Sequence, residues 1–198
     1  LGVTVRVPHL AWQTMKGEGK RDYPASIFYQ SPWYQEYKLI EDHFARVSTA
    51  MTRGKSCVRT AVIHPIETYW LLRCSNAESI QARKELDSHF AELADWMLTG
   101  SVDFDYLAES LLEDLCAEAV DSGECACSLR VGEMAYDTII VADCQTLRPF
   151  TIQVLKAFKE NGGKLIFVGN RPYLSLGEPA AEAEALWQGA IHISHSKV

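Results

Sequence analysis

Unbroken apolar runs of four or five residues recur along the chain, each bounded by polar or turn residues. Thr-Ile-Ile-Val-Ala at 138–142 and Leu-Ile-Phe-Val at 165–168 are of the kind required by a strand covered on both faces. Between them, Ile152, Val154, Leu155 and Phe158 recur at helical spacing. Pro149 sits where a first helical turn tolerates it, and Asn161-Gly162-Gly163 ends the helix. The stretch 137–169 therefore predicts strand, loop, helix, turn and strand, a right-handed βαβ unit with parallel strands.

The same patterns extend outward from this unit. Val3, Val5 and Val7 alternate with polar residues as one strand, followed by a long polar-aromatic loop over 11–30. Ser31 as N-cap and Pro32 at the first helical position predict a helix over 31–51, with Tyr37, Ile40, Phe44, Val47 and Met51 on one face. A buried-type strand follows at 60–63, and an amphipathic helix at 77–98 carries Ile80, Leu86, Phe90, Leu93 and Met97. A short strand at 103–107, a helix at 108–120, a weak strand at 128–132 and a short helix at 180–187 complete the order. Strands alternating with helices predict an α/β fold: a doubly wound, flavodoxin-like parallel sheet in three α/β/α layers.

Composition narrows the function classes. The chain has 198 residues, of which 47% are hydrophobic, enough for one α/β domain and an appendage. No run of eighteen apolar residues is present, so no membrane span is expected. The formal net charge of −7 without a basic cluster argues against nucleic acid as a partner. Six cysteines form no CxxC pair, and Cys125-Ala126-Cys127 lacks a second half. No metal site, no cofactor and a reducing, cytoplasmic compartment are expected. Leu1 opens on a strand in progress and apolar alternation resumes at His192, which reads as a fragment of a longer protein.

Ligands of an open α/β sheet bind beyond the carboxyl ends of its strands. The residues expected there are His64 and Glu67, Asp103 and Asp105, Asp143 and Cys144, and Gly169-Asn170-Arg171. No GxGxxG, P-loop or Gly-x-Ser-x-Gly motif is present. Cys144 reads as a packed cysteine because a loop follows it and no tight elbow, the alternative being a nucleophile working with His64. His64 reads as a loop histidine, or as a partner of Glu67.

Residues 58–198 resemble the class I glutamine amidotransferase-like fold. They look most like the version that follows the catalytic barrel in multidomain bacterial glycoside hydrolases, the β-galactosidase trimerisation type. In amidotransferases of that fold a nucleophilic cysteine follows the strand matching 164–168. Here the turn reads Gly169-Asn170-Arg171, which removes the thiolate. Residues 1–57, with Pro8-His9-Leu10, Lys20-Arg21-Asp22-Tyr23-Pro24 and Tyr29-Gln30-Ser31-Pro32-Trp33, are similar to the last strand, loop and helix of a (β/α)8 TIM barrel in large glycosidases. The resemblance implies a non-catalytic structural or interface domain of a glycoside hydrolase, its catalytic carboxylates lying outside this chain. It implies His9, Arg21, Asp22 and Tyr23 as substrate-binding residues, the rest of the barrel as partner, and a carbohydrate as substrate of the whole protein. An unpaired barrel strand and the aromatic residues Trp12, Tyr29, Trp33 and Tyr34 would favour homo-oligomers. The alternatives are a self-sufficient thiol hydrolase or amidotransferase relative using Cys144 and His64, and a sugar-binding module using Asp143, Asn170 and Arg171.

Overall fold

A computed structural model of the chain describes residues 16, 29, 31–74, 77–116 and 128–195. The chain divides into two compact units, Leu1–Ser56 and Cys57–Val198. In the first, helix α1 spans Tyr37–Met51. The expected start at Ser31 is displaced. Bonds from Tyr34 N–H to the Ser31 carbonyl at 3.1 Å and from Glu36 N–H to the Trp33 carbonyl at 3.1 Å wind 31–36 into successive turns, and Glu36 becomes the N-cap. The Ser31 hydroxyl, instead of capping, is buried without a hydrogen-bond partner. No residue of α1 is buried, so the stripe of Ile40, Phe44, Val47 and Met51 faces outward. The expected strand over 1–7 lies outside the described residues.

The second unit runs β1 (Thr60–Ile63), α2 (Ile66–Leu71), α3 (Ala77–Thr99), β2 (Phe104–Leu107) and α4 (Glu109–Leu115). It resumes with β3 (Leu129–Val131), β4 (Met134–Tyr136), β5 (Thr138–Ala142), β6 (Thr146–Leu147), α5 (Pro149–Glu160) and β7 (Lys164–Val168). The last elements are β8 (Leu174–Ser175), β9 (Glu178–Pro179), α6 (Ala181–Trp187) and β10 (Ile191–Ile193). The main sheet is parallel with order β10-β7-β5-β1-β2. Counted along the chain, its five strands stand 2-1-3-4-5, the flavodoxin-like order.

The strands read as unbroken apolar runs because both faces of the sheet are covered. On one face Val62, Ile140, Ala142 and Val168 meet Leu93 and Met97 of α3. On the other, Ala61, Ile63, Ile139, Val141, Leu165 and Phe167 meet Leu112 of α4, Ile152, Leu155 and Phe158 of α5, and Ala183 and Leu186 of α6. The expected unit around α5 is present, with β5 and β7 in parallel register from Thr138↔Lys164 to Ala142↔Val168. Pro149 stands in its first turn and Asn161 caps its end.

The segment at 128–132 is a strand, but not of this sheet. β3 and β4 form a separate antiparallel hairpin closed by Gly132-Glu133, where φ of +57° at the first turn residue favours glycine. The short strands β6, β8 and β9 form a third small sheet. Among the described residues, no helix is long and apolar enough to cross a membrane.

Candidate functional site

In a sheet of this order the chain reverses its direction of winding between β1 and β5, which leaves a crevice at the carboxyl ends of those two strands. Asp143 is the residue that leaves β5 there. It is 2% exposed and holds φ at +48°, a left-handed conformation that a short polar side chain tolerates better than most. Its N–H donates to the Val168 carbonyl at 2.9 Å, which fixes the backbone against the end of β7.

Four nitrogens converge on the Asp143 carboxylate. Oδ1 accepts the Asn170 backbone N–H at 2.8 Å and its side-chain amide at 2.9 Å. Oδ2 meets Nδ1 of His89 at 3.1 Å and Nε2 of His195 at 2.9 Å. His89 comes from the middle of α3 and His195 from just beyond β10, so three separate elements supply the cluster. The two imidazoles stack, centroids 3.9 Å apart and planes within 14°, and Trp96 packs against His195 at 5.8 Å. Gly169 makes room for this arrangement: a Cβ there would stand 2.1 Å from Asp143 Oδ1, and its φ of +77° already disfavours a side chain.

A small cleft of about 90 Å³ opens beside the carboxylate, lined by Thr68, Glu85, His89, Gln145 and Asn170 among others. The Thr68 hydroxyl, itself buried, accepts the Gln145 N–H at 3.0 Å and so holds the β5–β6 loop against α2. A second, more open cleft of about 380 Å³ is lined by Gln145, Asn170, Arg171, Tyr173 and Glu184.

Compared with known protein families, with curated proteins and with solved structures, the chain finds no match. The site is therefore read from its own geometry.

The remaining candidates are dispersed. Cys144 is completely buried, and its thiol donates to the Ala142 carbonyl at 3.4 Å. Burial, with the negative charges of Glu109 and Asp143 adding to it, pushes that thiol well above the usual cysteine range, the opposite of what a thiolate nucleophile needs. His64 lines a different, largely apolar cleft of about 230 Å³ with Tyr69 and Phe90, its ring edge-on to Phe90 at 5.1 Å. The alternative pairing of His64 with Glu67 is not made: Glu67 instead accepts from Nε of Arg148 at 2.5 Å. The Arg148 backbone N–H donates to buried Glu109 at 2.7 Å, tying α4 to the start of α5.

Asp103 and Asp105 do not reach the carboxyl edge. β2 continues to Leu107, which leaves Asp103 ahead of the strand and Asp105 at its second position, accepting the Tyr136 hydroxyl at 2.9 Å. Burial, reinforced by that bond, raises the Tyr136 phenol above its ordinary value. His9, Arg21, Asp22 and Tyr23 lie outside the described residues.

Sequence reasoning placed Asp143, Asn170 and Arg171 at strand ends but missed His89 and His195. His89 stands three residues after buried Leu86 and four before buried Leu93, and that place at the flank of the buried face of α3 was the available sign that it turns toward the sheet. His195 follows an apolar alternation that proves to be β10, so a fifth parallel strand was the signal that would have brought it to the same edge.

Proposed function

We propose that this chain is a non-catalytic domain of a glycoside hydrolase, serving as support or interface to a barrel of which 1–57 is the last strand, loop and helix. The observation that carries the reading is α1. It is fifteen residues long with an apolar stripe, yet none of its residues is buried. A helix of this kind gains its stability from tertiary packing of that stripe, so further protein is the natural cover for it. Tyr29 and Trp33, 66% and 56% exposed, extend the apolar surface of the same unit.

Two features of the α/β unit agree with a supporting role. Asn170 occupies the turn where the resembled amidotransferases carry their thiol, and its amide is engaged with Asp143. Tyr106 on one edge strand of the sheet and Ile191 and Ile193 on the other are about half exposed, as side chains at a subunit contact would be in the separated chain. In this reading His9, Arg21, Asp22 and Tyr23 contact the sugar substrate of the whole enzyme.

Hydrolysis of a panel of nitrophenyl glycosides by this chain and by the longer protein tests the proposal. Turnover by the longer protein alone supports it. Turnover by this chain overturns it, and no turnover by either removes the glycosidase assignment. Within an active longer protein, alanine at Arg21 or Tyr23 is expected to lower kcat/KM.

The cleft formed by Gln145, Asn170, Arg171, Tyr173 and Glu184 favours a second reading, a sugar-binding module. Its mix of an arginine, amides, a carboxylate and a half-exposed tyrosine ring suits hydroxyl groups and a pyranose face. Saturation binding of oligosaccharides that is lost in Arg171→Ala would favour it.

A further inference from the structure

We infer that His89, Asp143 and His195 form a binding site for a divalent transition-metal ion of the zinc class. Their three donor atoms, Nδ1, Oδ2 and Nε2, lie within 4.8 Å of one another. Two imidazoles aimed at one carboxylate oxygen form a donor set that suits zinc and its neighbours, whereas magnesium and calcium favour all-oxygen sets.

The spacing fits. Ligands about 2.0–2.1 Å from a tetrahedral zinc stand roughly 3.3 Å apart. The two nitrogen–oxygen distances are 3.1 and 2.9 Å, so each nitrogen needs to draw away from the carboxylate oxygen by a few tenths of an ångström. The stacked rings also need to tilt out of their near-parallel arrangement for both lone pairs to meet at one ion.

The surroundings are those of a held site. Asn170 fixes the second carboxylate oxygen through two hydrogen bonds, the kind of outer partner that orients a metal-binding carboxylate. Gly169 leaves the space the carboxylate occupies. The His195 ring is packed between His89 and Trp96, while its Nδ1 is buried without a hydrogen-bond partner, so packing and not an outer hydrogen bond sets its orientation. Three protein ligands leave a fourth coordination position for water or an outside ligand. The 90 Å³ cleft with Thr68 and Glu85 adjoins the cluster and could admit one. A bound ion would tie α3, the end of β5 and the segment after β10 together at the sheet's switch point. This holds whether or not the chain serves a glycosidase.

The test is cobalt and zinc binding to the intact chain carrying Cys57→Ser, Cys74→Ser, Cys125→Ser and Cys127→Ser, since the two exposed thiols and the Cys-x-Cys pair compete for these ions. One equivalent of Co2+ should give visible ligand-field bands without thiolate charge transfer. Zn2+ should displace the Co2+ and raise Tm in a concentration-dependent way. Affinity should fall by about 100-fold in His89→Ala and in Asp143→Asn, and by about 10-fold in Asn170→Ala. Thiolate bands, affinity unchanged in His89→Ala and His195→Ala, or no ion bound at micromolar concentration would each overturn the inference. Should the variants fail to fold, the cobalt spectrum and the zinc-dependent Tm of the parent chain decide alone.

Discussion

Asn170 donates twice to Oδ1 of Asp143, from its backbone at 2.8 Å and from its side chain at 2.9 Å. The asparagine that follows β7 is thus a positioning residue for the aspartate that follows β5. It leaves Oδ2 facing the two histidines. A buried carboxylate is tolerable when all its lone pairs are engaged, and here four nitrogens engage them.

Gly169→Ala should be among the most damaging single changes in the chain. The new methyl would meet Asp143 Oδ1 at 2.1 Å with φ at +77°. The combined conformational and steric cost is about 2–4 kcal/mol, read as a lower urea midpoint. A loss under about 0.5 kcal/mol would mean that Asp143 has room to move.

Alkylation separates packed from accessible thiols. At neutral pH iodoacetamide should label exposed Cys57 and Cys74 well before buried Cys144 and Cys116, as followed by peptide mass spectrometry. Burial raises both buried thiols, most strongly Cys144. Fast, selective labelling of Cys144 would instead support a thiol hydrolase.

Glu109 predicts a pH dependence of stability. Burial, the largest influence, raises its carboxyl above the ordinary 4.5, with the nearby charge of Glu67 adding and the Arg148 backbone N–H opposing. The folded state therefore holds this proton more tightly than the unfolded one. Its favourable contribution is complete below pH 4.5 and is lost as pH rises through the raised value. Urea unfolding of Glu109→Gln beside the wild type should show the variant gaining relative stability as pH rises from 4 to 7. A constant difference would contradict the shift.

Leu155→Ala tests the core under the sheet. Leu155 is completely buried between α5 and β-strand side chains. The expected loss is about 2–5 kcal/mol, and a value under 1 would mean that α5 repacks freely.

Outward-facing Ile40, Phe44 and Val47 should promote self-association. Sedimentation velocity of the chain and of Ile40→Gln/Phe44→Gln/Val47→Gln should show concentration-dependent oligomers for the former and a monomer for the latter. A monomeric wild type at every concentration would count against the interface reading.

Most of the α/β unit was legible because burial on both faces writes itself as continuous apolar strands, as in 138–142 and 165–168. The hairpin at β3–β4 was read as a sheet strand because a three-residue apolar pattern carries no information about its partner. Helix α1 was begun too early because Ser-Pro is a start signal only when the following residues continue as α-helix. Around the site, Asp143 and Asn170 were legible as strand-end residues. His89 and His195 were not, since their meeting depends on a fifth strand and on which face α3 covers.

The order of synthesis gives β10 a particular place. A nascent chain that has extended through α6 already carries β1, β2, β5 and β7, yet β7 then has one open edge and Asp143 has one imidazole instead of two. Pairing of β10 with β7 and arrival of His195 at Asp143 occur together, so the sheet edge and the buried charge are completed in one late step. Release before that step would leave a folded body with an exposed parallel edge, the species most prone to pair with a neighbouring chain.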